Sequence, residues 1–296
     1  MADINENKKK IIILGLFDSV HIGHRYLIDA GKDLALTVKG EVVVYTFDDN
    51  FYNVLNLPRK DVYLLKERLS IFDALGVKYK VLPTNADFFN KSKEEFIEEI
   101  VQDQPYCVVA GSDYRFGKGA EGDAFILKTE LAKKGIFTAI CDMIKYKGAK
   151  ISTTDIAQYV LDGEIKKADV LLGSPFFVTG TVINGLHNGK LIGFPTANFE
   201  FDDNKIVPKF GVYVTKTFID GVVYPSVTNV GPHPTFDYDK TNCETHVIGY
   251  EGDLYGKEIK VEFIDRIRDI LKFADAKELS DQLKNDVKYA KEVMRV

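Results

Sequence analysis

Two histidines three residues apart, His21 and His24, enclose a glycine in the run Gly15-Leu-Phe17-Asp18-Ser-Val-His21-Ile-Gly23-His24. At this spacing both imidazoles can share one helical face. Gly23 lets the backbone approach a phosphate, and a helix N-terminus adds free N–H groups and partial positive charge. Imidazoles donating to a phosphoryl group in transfer would stabilise the charge developing on it. A second segment carries glycines at 180, 185, 189 and 193 and runs on into Pro195-Thr196-Ala-Asn198. Glycines between strands suit a backbone held close to phosphates. This is not a Walker A loop, because Leu191 follows Gly189-Lys190. A Thr hydroxyl and an Asn carbonyl are hard oxygen ligands suited to Mg²⁺ held jointly with ATP phosphates. In Cys243-Glu244-Thr-His246, strand alternation puts Glu244 and His246 on one face. A carboxylate there can accept the proton of an attacking hydroxyl.

The elements that must position these residues change character along the chain. In the first half, apolar β-branched runs (10–15, 41–47, 79–82, 106–110 and 136–141) alternate with helical patterns. Residues 61–75 place Leu65, Leu69, Phe72 and Leu75 on one helical face, with Gly76 as its stop. The spacing predicts a parallel sheet covered on both faces, with ligands at the carboxyl ends of the strands. The loops Gly15–His24 and Gly111–Asp123 fall there. The second half reads as strands at 176–183, 211–218, 222–230, 245–250 and 258–264, joined by short connections. Asp220-Gly221 is a hairpin signal, so a mainly antiparallel barrel is expected. A last helix starts at the capping pattern Asp275-x-x-Glu278 and carries Leu279, Leu283 and Val287. The expected domains are 1–174 and 175–296.

Composition limits the partners. The 296 residues carry 39 Lys plus Arg against 44 Asp plus Glu, a net charge of −5. That balance disfavours wrapping nucleic acid, while leaving room for a local basic phosphate pocket. Cys107, Cys141 and Cys243 form no C-x-x-C pair, which fits a reducing cytoplasm; Cys107 and Cys141 read as buried thiols. The first ten residues lack the apolar stretch of a secretory signal, and no run is long enough to cross a bilayer. A small-molecule enzyme, with no membrane partner, is the expectation. Self-association stays open.

At His21-Ile-Gly23-His24 the chain resembles the HxGH nucleotidylyltransferases. With Ala110-Gly-Ser-Asp113-Tyr-Arg115-Phe116-Gly it resembles the prokaryotic bifunctional riboflavin kinase/FAD synthetases. The glycine loop followed by Pro195-Thr196-Ala-Asn198, then Glu244 ahead of Asp253-Leu-Tyr-Gly256, matches the riboflavin kinase pattern. The resemblance implies a Rossmann-like adenylyltransferase domain followed by a β-barrel kinase domain with a C-terminal helix. It implies ATP, riboflavin and FMN as substrates, FAD as product and Mg²⁺ as metal. His21, His24 and Glu244 become the catalytic candidates, and Thr196 and Asn198 the metal ligands. Gly15, Phe17, Asp18, Gly23, Asp113, Arg115, Phe116, Ser152, Thr153, Thr154, Gly185, Gly189, Gly193 and Arg268 become binding candidates, with Asp113 facing flavin. His233 stands in a flap where the family more often has Arg.

The chain also departs from the pattern. Leu16 and Ser19 replace an Asn and a Gly, and Asp49-Asn50 stand after Thr46-Phe47-Asp48 where the family has Pro-His. Ile151-Ser152-Thr153-Thr154-Asp155-Ile156-Ala157 stands for I-S-S-T-R-I-R, so both arginines are missing. Arginine is the preferred bidentate phosphate ligand. Three readings follow: a bifunctional enzyme, a riboflavin kinase with a degenerate first domain, or a non-catalytic flavin-binding regulator.

Overall fold

The computed structural model describes residues 8–57, 59–183, 193–232 and 241–295. Gly185, Gly189 and His233 lie outside them. The chain forms two compact units, one ending at Thr153 and the other beginning at Thr154.

The first unit holds strands β1 (Lys10–Leu14), β2 (Glu41–Phe47), β3 (Lys78–Leu82), β4 (Cys107–Gly111), β5 (Arg115–Phe116), β6 (Gly122–Asp123), β7 (Phe137–Cys141), β8 (Lys145–Tyr146) and β9 (Ala149–Lys150). Its helices are α1 (Ile22–Val38), α2 (Phe51–Val54), α3 (Leu65–Ala74), α4 (Ala86–Phe89), α5 (Lys93–Gln102) and α6 (Ala124–Lys133). Five strands form one parallel sheet in the order β3-β2-β1-β4-β7. The central strands β1 and β4 are almost wholly buried, as their unbroken apolar runs require. Strand order reverses between β1 and β4, and ligands bind in the crevice such a reversal opens. The loops after β1 and β4 therefore flank one crevice, side by side.

Two local details differ from expectation. Helix α3 begins at Leu65, not 61, because Val62 and Tyr63 form a bend and Leu64 is extended, all three of them buried. The Tyr63 amide donates to the Asp18 carbonyl at 3.1 Å, which draws this segment onto the β1–α1 loop. Cys107 is buried, but Cys141, at the end of edge strand β7, is only half-buried.

The second unit opens with α7 (Thr153–Leu161, from its second residue) and α8 (Ile165–Leu172). The Lys209 amide donates to the Val160 carbonyl at 3.1 Å, and α8 packs on the barrel. By their contacts, α7 and α8 thus group with the barrel. Six strands follow: β10 (Phe177–Thr181), β11 (Ala197–Glu200), β12 (Gly211–Ile219), β13 (Val222–Pro232), β14 (Thr241–Val247) and β15 (Glu258–Arg268). They pair antiparallel in the order β10-β15-β12-β13-β14-β11. A bridge between Ile183 and Asn198 brings the two ends together into a nearly closed barrel. Asp220 and Gly221 turn the β12–β13 hairpin at φ +49° and +82°, the positive values a two-residue I′ turn needs.

Alternation gives this sheet two unlike faces. One is lined by fully buried hydroxyls of Thr215, Ser226, Thr228 and Thr245, which satisfy one another at 2.7–2.9 Å. The other carries Val212, Val214 and Val227 beneath the C-terminal helix Ala276–Met294. Asp275 caps that helix, accepting from the Glu278 amide at 2.8 Å. His246 lies opposite Val227, and Glu244 opposite Asn229, so both belong to the helix-covered face.

Candidate functional site

In the first unit the β1–α1 loop is built around Asp18. Its carboxylate is buried and accepts hydrogen bonds from Thr153 Oγ1 at 2.8 Å, Ser19 Oγ at 3.4 Å and the Tyr52 hydroxyl. Thr153 also lies 2.9 Å from Ser19 Oγ. Segments some 135 positions apart in sequence are thereby joined. The loop backbone is strained, with Phe17 at φ +56° and the β-branched Val20 at +43°. Arg68, almost fully buried on α3, donates to Leu16 O at 3.3 Å, Thr46 Oγ1 at 2.9 Å and Asp49 at 3.1 Å. One guanidinium thus ties down the ends of β1 and β2.

His21 caps α1, its Nδ1 accepting from the His24 amide at 3.1 Å. In the neutral ring the proton therefore sits on Nε2, which is the donor. The His21 and His24 rings stack at 3.7 Å and 8°. A Cβ on Gly23 would lie 3.0 Å from His21 Cε1, so the glycine makes room for this fold-back. Burial pushes the His21 pKa down, opposed by Asp18 and Asp113 and assisted by Lys150. Burial lowers His24 further, helped by His21, and its Nδ1 has no partner among the described residues. Both imidazoles are thus neutral near pH 7. Asp113 pairs with Lys150 at 2.7 Å, and both are close enough to act on His21.

The crevice therefore assembles Asp18, His21, His24, Asp113 and Thr153, with Gly15 at the start of the loop and Gly23 in the first turn of α1. Phe17 is buried against the His24 ring, 5.0 Å away. Ser152 immediately precedes Thr153, and Thr154 begins the second unit. Arg115 is exposed, 3.6 Å from Asp123. Phe116 packs in the core against Phe96 and Tyr114. Tyr52 had no signal in the sequence. Arg68 had one, a cation on the apolar stripe between Leu65 and Phe72.

In the second unit β14 places Glu244 between Asn198 and Asn229 on the neighbouring strands. The Thr196 hydroxyl donates to Glu244 Oε1 at 2.8 Å. Asn198 Nδ2 lies 3.3 Å from both the carbonyl and the hydroxyl of Thr196, and Asn198 Oδ1 accepts from Asn242 at 2.9 Å. The Thr196 hydroxyl and the Asn198 side-chain oxygen are hard donors beside the Glu244 carboxylate. The donors thus fit a divalent metal shared with phosphates. No cluster of three or more His, Cys, Asp or Glu able to hold one occurs among the described residues. Phe194 and the C-terminal helix, through Val287, Lys288 and Lys291, wall a groove of about 660 Å³. Gly193, at φ +84°, is open on the turn before it. Arg268 is committed elsewhere, gripping the buried Asp286 of the C-terminal helix at 2.7 Å.

Comparison with known proteins agrees with this division. The FAD synthetase family model matches residues 3–155, and the riboflavin kinase model matches 172–294. A bifunctional riboflavin kinase/FMN adenylyltransferase of Bacillus subtilis is 33% identical over 95% of this chain and 91% of its own length. Its Listeria monocytogenes counterpart is 34% identical over 96% and 91%. A solved Streptococcus pneumoniae structure, described as a macrolide-efflux protein, is 31% identical with a TM-score of 0.86, covering 98% of this chain and 96% of that one. That description concerns the pneumococcal protein; among the described residues here, no helix is long and apolar enough to cross a membrane. With two family models in sequence and relatives matched over nearly their whole length, the chain belongs to the bifunctional riboflavin kinase/FMN adenylyltransferase family.

Proposed function

We propose that the second unit phosphorylates riboflavin to FMN with ATP, and that the first transfers AMP from ATP to FMN, forming FAD and releasing pyrophosphate. In the kinase unit Thr196 holds Glu244 Oε1 and so fixes the carboxylate. Glu244 accepts the proton of the ribityl 5′-hydroxyl as that oxygen attacks the γ-phosphorus. Thr196 and Asn198 hold Mg²⁺, which when bound shares the charge of the ATP phosphates.

In the adenylyltransferase unit His21 and His24 stabilise charge on the α-phosphoryl as neutral donors. Asp18, held by Thr153, fixes the loop that carries them. Asp113 binds the flavin. Lys150, beside His21, supplies positive charge to an anionic substrate, while Asp155 and Ala157 bring none. Three cysteines without a disulfide suit a reducing cytoplasm.

The observation that carries this reading is the meeting, within each unit, of motif residues far apart in sequence: Asp18 with Thr153, and Thr196 with Glu244. Paired variants test it. Glu244→Gln should lower FMN formation at least a hundredfold and spare FAD formation from added FMN, as loss of a general base predicts. His24→Ala should do the reverse, with a comparable loss. If either variant lowers both products equally, or neither, the assignment of one chemistry to each unit fails.

A further inference from the structure

His246 has no part in either reaction as described, yet it makes two contacts with the turn that bears the metal-binding hydroxyl. Its Nδ1 lies 2.9 Å from the Pro195 carbonyl, and its ring meets Phe194 edge-on with centroids 5.2 Å apart. A carbonyl only accepts, so Nδ1 carries the proton and donates. The next residue, Thr196, is held by Glu244, two positions from His246 on the same face of β14. The turn is therefore fastened to β14 at consecutive residues by two side chains of one strand. Proline has no N–H, so this turn has one backbone donor fewer with which to anchor itself.

We propose that His246 is a positioning residue of the kinase unit: its Nδ1–H and ring face fix the Phe194–Thr196 turn so that the Thr196 hydroxyl stays within reach of both Glu244 and the Mg²⁺–nucleotide. The proposal rests on the kinase reading of this unit. The imidazole transfers no proton; its work is done by an N–H donor and a ring that packs on Phe194. Without it, Thr196 keeps its contacts with Glu244 and Asn198, but the two residues before it lose their tie to β14. The turn can then drift by a fraction of an ångström, which is enough to weaken a shared metal site. Phe194, which also walls the groove against the C-terminal helix, would drift with it.

Three variants of the full chain separate this role from others: His246→Ala, His246→Asn and His246→Gln. The asparagine amide nitrogen falls where Nδ1 was, whereas that of glutamine falls nearer Nε2. Two readouts are taken: steady-state FMN formation at varied ATP–Mg²⁺, and binding of ADP–Mg²⁺ by calorimetry. We expect His246→Ala to raise the KM for ATP–Mg²⁺ about ten- to a hundredfold and to weaken ADP–Mg²⁺ binding in step. His246→Asn should recover most of both losses and His246→Gln little. The pH profile of kcat should be unchanged throughout.

Unaltered binding in His246→Ala, equal rescue by Gln and Asn, or a displaced pH profile would each overturn the proposal. If the unaltered chain binds ADP–Mg²⁺ but forms no FMN, the kinase reading fails, and the calorimetric order of the variants still decides the role of His246. FAD formation from FMN by the same preparations reports that the first unit is intact.

Discussion

At the scale of single residues, the adenylyltransferase site depends on groups that hold other groups. Asp18 reaches Thr153, Ser19 and Tyr52 from within the loop that carries the histidines. Asp18→Asn keeps the volume but removes the charge, so FAD formation should fall at least tenfold while FMN formation is unchanged. Equal FAD rates would show that the loop stands without this carboxylate. His24 makes a second prediction, with a defined sign. Burial holds its folded pKa below the ordinary value, so the unfolded chain takes the proton first as pH falls. This contribution to stability is full above about pH 6.5 and is lost as pH drops toward the folded pKa. The melting temperature should therefore drop on acidification below that pH, and His24→Gln should shrink the drop. An undiminished drop would contradict a buried neutral imidazole. Much of this site was legible in the sequence, because His21, Gly23 and His24 are adjacent and their spacing alone implies a shared face. Its support was not. Tyr52 lies 34 positions from Asp18, and nothing local announces the contact. Arg115 and Phe116 show the converse: inside a matching motif, one is exposed and the other fills the core.

At the scale of elements, one buried ion pair fastens the last helix. Arg268, at the end of β15, donates through Nε and Nη2 to Asp286, whose other partner is Gln282 at 2.8 Å. The Asp286 side chain is 1% exposed, so removing its partner leaves an uncompensated charge in the core. Breaking such a pair typically costs about 3–5 kcal/mol. Arg268→Ala should lower the urea midpoint of the second unit accordingly, while Arg268→Ala combined with Asp286→Leu should recover part of the loss. If the single variant loses less than about 1 kcal/mol, helix docking rests on Val287, Ala290 and Val293 alone. The helix start and its stripe at Leu279, Leu283 and Val287 were legible from capping and period. The acid on its buried face was not, since its partner sits eighteen residues away. The parallel sheet was legible because each central strand is one unbroken apolar run. The strand Ala197–Glu200 was missed: four residues after a proline carry too little alternation.

At the scale of the whole molecule, one acidic chain with a net charge of −5 carries two units with separate chemistry. The barrel and the α/β unit were legible as classes. The grouping of α7 and α8 with the barrel was not, because strand patterning does not register the packing of α8 on β15. The account stands most directly on the products that the intact chain makes. Incubated with riboflavin, ATP and Mg²⁺, it should form FMN with one ADP per flavin, then FAD with one pyrophosphate per flavin, resolved by chromatography. Accumulation of FMN with no FAD and no pyrophosphate, even from added FMN, would contradict the claim that the first unit works without the two arginines.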